Sequence, residues 1–348
     1  MRSDSGAGER MAFATDASRV KFRLLAIVTF VTTYALIVLG AVVRVTESGD
    51  ACPDWPRCHG ELIPPLEPAV LIEFSHRLLA SLVGLLVLAT AVLAWRWQRR
   101  VPLVRWGATL AVLLVGGQII LGGLTVLNDL PPSMVTAHLA LASALLATLL
   151  VVVIASFELK PAGNAERRTR AASFRNLTIF AALAAFGVML TGSYVSGAGA
   201  GLAFRDWPLF DGRLLPEGGR LAMIHVTHRL AAAAIGLLLL FVAVRAWRWQ
   251  RWHQPMALGT ALALLLYVAQ VFVGAANIWT LLQPAAGAAH LALAVALWAT
   301  LTGVVVFAQR AAQPISQYAE TPRQQPSLPP PEVSPEPART TVPAGGPS

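Results

Sequence analysis

Hydrophobic and polar positions along this chain fall into long blocks, not into a short alternating pattern. Leu24–Val43 is the first block and carries no charge. Its length is close to the 20 or so apolar residues that a helix needs to cross a bilayer. Seven similar blocks follow, at approximately 73–94, 106–127, 134–156, 176–196, 221–244, 256–279 and 287–309. The pattern predicts an all-α membrane protein with eight transmembrane helices. An even number of spans puts both termini on one side. The first block is too long for the apolar core of a signal peptide and has a counterpart in mid-chain, so it reads as a retained span.

Composition supports that reading. Of 348 residues, 56% are hydrophobic and 13% charged, where a soluble domain would carry roughly a quarter charged residues. A cytosolic enzyme and a secreted disulfide scaffold are both poor matches. The net charge of +9 changes the picture only through its distribution. With the N-terminus inside, 20 of the 27 Lys and Arg residues fall in cytoplasmic segments, as the positive-inside rule expects. The basic balance therefore needs no nucleic acid partner. Trp95, Trp97, Trp247, Trp249 and Trp252 sit at the inner boundary, where an aromatic belt belongs. From about residue 310 the pattern changes. Ten prolines occur in 39 residues, and such a tail has too little apolar surface to fold on its own.

The chain repeats itself with one offset. Ala94-Trp95-Arg96-Trp97-Gln98-Arg99 recurs as Ala246-Trp247-Arg248-Trp249-Gln250-Arg251, and His138-Leu139-Ala140 as His290-Leu291-Ala292. Asp54-Trp55-Pro56 recurs as Asp206-Trp207-Pro208, and Ser75-His76-Arg77-Leu78 matches Thr227-His228-Arg229-Leu230. Each pair is 152 residues apart. Four spans per copy make the repeat parallel, with its axis along the membrane normal. The expected architecture is two tandem four-helix bundles side by side. The segments read as a cytoplasmic start (1–23), a first bundle (24–157), a cytoplasmic linker (158–175), a second bundle (176–309) and a Pro-rich cytoplasmic tail (310–348).

The repeat pairs His76 with His228 and His138 with His290, on helices 2, 6, 4 and 8. All four helices start on the outer side, and each histidine lies in the first few turns. Each bundle therefore holds two histidines at matching depth. A lone polar residue in a span usually makes an interhelical hydrogen bond. Four of them, paired twice, point to a metal or haem between helices. Zinc favours four close ligands, whereas two opposed imidazoles suit six-coordinate haem iron. His225 shares a face with His228, and His59 and His253 read as surface residues. Gln118 and Gln270 read as interhelical hydrogen-bonding groups.

Two of the differences between the copies bear on chemistry. Glu73, one turn from His76, is replaced by His225 in the second copy. A carboxylate in a span needs a task or a partner, and Arg77 is the candidate partner for a plain ion pair. Cys52 and Cys58 flank five residues of the first outer loop, and Phe204 and Phe210 stand at their positions in the second. The cysteines fall on the oxidising side, where a disulfide can form. A structural staple and a redox role both stay open. Arg77 and Arg229 each follow a histidine and could reach haem propionates or snorkel to headgroups.

Together these residues resemble the haem A synthase family. The resemblance rests on Glu-Ser-Gly-Asp-Ala-Cys-Pro-Asp-Trp-Pro-Arg-Cys-His-Gly (47–60), on the Glu-x-x-His-Arg at 73–77 and on the four-histidine layout. It covers about residues 24–309. It implies an eight-helix membrane enzyme that oxidises the C8 methyl of haem O to the formyl of haem A, for cytochrome oxidase biogenesis. It implies further that His76 and His138 flank the substrate haem, that His228 and His290 ligate a cofactor haem b, and that Glu73 is the catalytic carboxylate. Cys52 and Cys58 match the family's cysteine pair, whereas the second pair of some members is replaced here by Phe204 and Phe210. The implied partners are haem O and the lipid bilayer. A haem O synthase, an electron donor and a homo-oligomer are further candidates. The implied location is the cytoplasmic membrane. Two other classes compete: a di-haem membrane cytochrome, which moves electrons or oxidises quinol, and a transporter.

Overall fold

The structure is a computed structural model and describes residues 5–61, 63–157, 164–214 and 216–314. Among them are eight helices: α1 (Ser5–Val45), α2 (Pro68–Trp97), α3 (Pro102–Leu127), α4 (Pro132–Ala155), α5 (Ala165–Gly197), α6 (Arg220–Trp249), α7 (Gln254–Trp279) and α8 (Pro284–Ala312). All eight are long and apolar enough to cross a membrane. Every apolar block lies on its expected helix, and most helices outrun their block. The block marks what lipid can cover, whereas the helix continues until its backbone is capped. Proline opens α2, α3, α4 and α8, where its missing N–H costs nothing. At α5 the Asn164 side chain accepts from the Arg167 backbone N–H at 2.8 Å, a standard N-cap. The expected 158–175 linker is thus helical from Ala165 onward. The expected disordered tail lies outside the described residues beyond Pro314.

In the first half α1 packs on α2, α2 on α3, α3 on α4 and α4 on α1, which closes a ring. The second half closes the same ring from α5 to α8. The halves meet through α1 on α8, α4 on α5, and α4 on α8. Exchanging the copies turns the first of these contacts into the second and leaves the third unchanged. An approximate two-fold axis therefore runs between α4 and α8. Ile37, Leu139, Leu146, Met189 and Val295 form the core shared by both rings. Two hydrogen bonds cross this core: Tyr34 Oη donates to the Ala292 carbonyl at 3.0 Å, and Trp298 Nε1 donates to the Ser143 carbonyl at 3.1 Å.

Small residues set the closest approaches, as expected where lipid supplies no hydrophobic drive between helices. A β-carbon on Gly107 would stand 2.9 Å from Val152, and one on Gly259 would stand 2.6 Å from Val304. These are repeat-related α3–α4 and α7–α8 contacts. The turns at the other end of the same helix pairs also match. Asp129 and Leu130 have φ of 59° and 56°, and Leu281 and Leu282 have 53° and 64°. Such left-handed conformations are unfavourable for leucine. Leu130 and Leu282 pack against Gly49 and Gly201, where an added β-carbon would meet each leucine at 3.2 Å.

Overpacking at the α7–α8 contact should be costly. Gly259→Leu is expected to destabilise the protein by about 1–3 kcal/mol, read as a lower thermal unfolding midpoint in detergent. Gly84→Ala, where an added β-carbon meets nothing within 4 Å, should leave the midpoint unchanged.

Candidate functional site

His76 is the ninth residue of α2 and His228 the ninth of α6, while His138 and His290 are each the seventh of α4 and α8. At about 1.5 Å per residue, all four stand roughly 9–12 Å in from the helix start. His76 and His138 thus belong to the first ring and His228 and His290 to the second, each ring carrying two of the histidines at matching depth.

Each imidazole is seated on a glycine of the preceding helix. A β-carbon on Gly40 would lie 3.1 Å from His76 Cε1, and one on Gly122 would lie 3.0 Å from His138 Cε1. The repeat-related Gly192 and Gly274 stand at 2.9 Å from His228 and His290 in the same sense. Any larger residue would meet the ring. These four seats escaped the sequence reading, although Gly40 to Gly192 and Gly122 to Gly274 both obey the 152-residue offset.

The donor set favours a group that brings ligands of its own. Among the described residues, no three His, Cys, Asp or Glu side chains cluster as a metal cage. A pair of imidazoles completes haem iron, which already has four ring nitrogens, but does not complete zinc. Buried polar atoms without partners lie beside both pairs. They include His76 Nδ1, His138 Nδ1 and His290 Nδ1, and the Oε1 atoms of Gln118 and Gln270. The interhelical hydrogen bonds expected of Gln118 and Gln270 are thus not made by these oxygens. Each glutamine is one turn from a glycine seat, Gly122 or Gly274. Buried polar atoms are normally satisfied, so both rings fit a polar-edged guest.

At the same end, each loop folds over its ring by one scheme. The Asp54 carboxylate accepts from the backbone N–H groups of His59 at 2.6 Å and Gly60 at 2.8 Å. Asp206 accepts from Asp211 and Gly212, both at 2.7 Å. The Gly60 N–H above all, helped by the His59 N–H and the Arg77 charge, holds the Asp54 carboxyl below its ordinary value. Gly212 leads in the same way at Asp206. The Trp55 ring lies against α3 at Gly123, where an added β-carbon would stand 3.2 Å from it. That position is next to the seat of His138.

An arginine clamps each loop to its helix. Arg77 Nε donates to Glu73 Oε1 at 2.9 Å. Its Nη1 donates to the carbonyls of Asp54 at 2.7 Å and Arg57 at 2.6 Å, and its Nη2 donates to that of Cys52 at 2.8 Å. Arg229 Nε donates to His225 Nε2 at 3.1 Å, and its Nη atoms donate to the Leu209 and Asp206 carbonyls at 2.8 and 2.9 Å. All three nitrogens of each guanidinium are turned to protein acceptors. Of five N–H groups on each guanidinium, Arg77 places four and Arg229 three on protein acceptors, which leaves one and two for a further partner. Glu73 and His225 are both buried, at 4% and 6% exposure. Because Arg229 donates to it, His225 Nε2 carries a lone pair, and the ring is neutral. The acceptor is preserved between copies, but its charge is not.

Cys52 and Cys58 form a disulfide, and both are fully buried beside Val70 and Phe74. At their repeat positions Phe204 and Phe210 stack edge-to-face with centroids 5.0 Å apart. The Arg229 guanidinium lies 5.6 and 5.3 Å from those rings. An aromatic pair thus fills the space that the disulfide fills in the first copy, and both staple the loop. The structure places His59 in this exposed loop, with Nε2 2.9 Å from the Ala51 carbonyl. His253 packs between Trp252 and Phe307 at the far end.

The fold and site define a class: an eight-helix membrane protein with two repeat-related histidine pairs under stapled loops. Residues 23–302 match the family described as cytochrome oxidase assembly protein, and the chain belongs to that family. It is 29% identical over 259 residues to a protein named Heme A synthase from Shouchella clausii, covering 74% of this chain and 86% of that one. A Heme A synthase from Geobacillus thermodenitrificans is 30% identical over 290 residues, covering 81% and 90%. One from Halalkalibacterium halodurans is 28% identical over 292 residues, covering 83% and 97%.

The loop chemistry sets a pH dependence. A carboxyl whose folded value is depressed stabilises the fold above its unfolded value and loses that contribution as pH falls through the folded one. Protection of the His59 and Gly60 amides against exchange, corrected for intrinsic rate, should stay level from neutral pH down to 3.8, the ordinary value of Asp54, and fall below it. In Asp54→Ala the protection should be low at every pH.

Proposed function

We propose that this chain is a haem A synthase, which oxidises the C8 methyl of haem O to a formyl group. The observation that carries the reading is two equivalent histidine pairs of which only one has a buried carboxylate beside it. The first ring, within 24–157, is the substrate site, with haem O between His76 and His138. The second, within 176–309, holds haem b between His228 and His290. Haem b would supply one-electron transfer, chemistry that no ordinary side chain performs.

The chain's own residues do the rest. The glycine seats fix the depth of each imidazole, and the stapled loops keep bulk water from the histidine end. Making a formyl group from a methyl replaces two C–H bonds with C=O, a change that adds one oxygen atom and, balanced with water, releases four electrons and four protons; an external oxygen source and electron acceptor are required. Glu73, one helical turn from His76, accepts a proton or stabilises positive charge developing at that carbon. Arg77 orients the carboxylate through Nε and ties it to the Cys52 loop. We assign Arg77 and Arg229 to loop clamping ahead of propionate binding, since most of their donors are engaged by the loops. The protein sits in the cytoplasmic membrane with both termini on the cytoplasmic side, as its Lys and Arg distribution favours. Haem O synthase and a separate electron donor are its natural partners. A di-haem cytochrome would explain four histidines but not a carboxylate in one ring alone.

Two experiments test this reading. Glu73→Gln should fold and bind haem in both rings, yet make haem A about 100-fold more slowly or worse, with haem O or a partly oxidised product accumulating. Normal haem A production by that variant would remove the carboxylate from the reaction. His228→Ala and His290→Ala should each abolish the low-spin bis-imidazole spectrum of haem b while the protein still inserts. A normal spectrum in both would refute the assignment of haem b to the second ring.

A further inference from the structure

The two rings also differ beside a glycine seat, and that difference bears on how tightly each holds its haem. Thr191 of α5 corresponds to Leu39 of α1 by the 152-residue offset. Each directly precedes a glycine seat, Gly192 or Gly40. Thr191 Oγ1 lies 2.9 Å from His228 Nδ1 and donates its own hydrogen to the Val188 carbonyl at 2.8 Å. A hydroxyl has one hydrogen to give. With the hydroxyl hydrogen on the Val188 carbonyl, Thr191 accepts from the imidazole and the proton resides on His228 Nδ1; the Val188 carbonyl lies near the same ring as a second, backbone acceptor. The lone pair is then left on Nε2, the atom a metal would take. In the first ring a leucine offers no acceptor, and His76 Nδ1 is buried without a partner. The Nδ1 atoms of His138 and His290 meet no side-chain acceptor either, although the Gln270 backbone carbonyl lies near the His290 ring.

We propose that Thr191 is the positioning residue that makes the second ring a retaining haem site, and that Leu39 leaves the first ring an exchanging one. The inference rests on the proposed function, which places haem b on His228. Its physical basis is general. A histidine that ligates metal through one nitrogen is oriented by an acceptor at the other, which fixes the tautomer, limits ring rotation and makes the ligand more basic. Loss of such a partner commonly weakens metal binding by about 10- to 100-fold. A resident redox cofactor should be held through every turnover, whereas a substrate haem must leave once it has been oxidised. The geometry gives the acceptor to the ring that needs retention and withholds it from the ring that needs release.

The test uses the full-length protein purified in detergent, with three variants beside the parent. The readouts are the rate of haem b loss to excess apomyoglobin and the haem b reduction potential by redox titration. Thr191→Val keeps the shape and removes the side-chain acceptor, leaving the imidazole only the Val188 backbone carbonyl. It should lose haem b about tenfold faster or more, and its potential should rise, because a less basic imidazole stabilises the ferric state less. Thr191→Ser keeps the hydroxyl and should restore both values. If the valine variant fails to accumulate in membranes, Thr191→Ala provides the same comparison. Parent-like loss rate and potential in a variant lacking the hydroxyl would overturn the proposal. His228→Ala separates that failure from failure of the underlying reading: retention of the low-spin haem b signal there would mean that haem b is not on His228 at all. The reciprocal Leu39→Thr should slow loss of haem O from the first ring, and an unchanged rate would overturn the part assigned to Leu39.

Discussion

An imidazole inside a membrane-spanning bundle is tolerated only if its ring has a fixed place and its polar atoms have a use. In this protein the place is made by removing a side chain. Gly40, Gly122, Gly192 and Gly274 each bare a patch of helix backbone for one histidine of the next helix. Helix order, crossing and depth all follow from that constraint. An odd helix must lie against the even helix that follows it, with glycine and histidine at one level. Closed four-helix rings meet the requirement, and the duplicated chain meets it twice.

On that symmetric frame the two copies differ in ways that preserve shape and alter chemistry. Glu73 and His225 both accept from an arginine, but one brings a carboxylate and the other a neutral ring. The Cys52–Cys58 disulfide and the Phe204–Phe210 pair both staple a loop, but only one can be reduced. Leu39 and Thr191 both flank a seat, but only Thr191 can accept from a histidine. On the proposed function, these differences give the first ring the reactive or exchangeable version and the second ring the inert or retaining one. Arg77 joins two of these features, since it touches both the Glu73 carboxylate and the Cys52 carbonyl. A change in the loop staple is thereby mechanically linked to the carboxylate.

Much of this was legible in the sequence because membrane spans and duplications leave long, regular signals. The eight blocks gave the helices, and the offset of 152 residues gave the bundle pairing and the matching depths of His76, His138, His228 and His290. Helix ends were less legible. Asn164 caps α5 inside a segment expected to be a linker, because capping is a local polar event that hydropathy does not register. The direction of a side chain was not legible at all. Arg77 and Arg229 read as able to reach a propionate or a headgroup; that each also binds a carbonyl more than twenty residues away in sequence only the fold shows. Gln118 and Gln270 read as hydrogen-bonded, yet their Oε1 atoms are unpaired. The glycine seats were visible as repeated glycines, but only the fold shows what faces them.

The central claim is that equivalent histidine pairs hold different haems, one resident and one in transit. Identification of the pigments that co-purify with the unaltered protein tests it most directly. Acid–acetone extraction followed by chromatography should yield haem b together with haem O or haem A. Haem b as the sole pigment, filling both rings, would contradict the account and leave a di-haem cytochrome in its place.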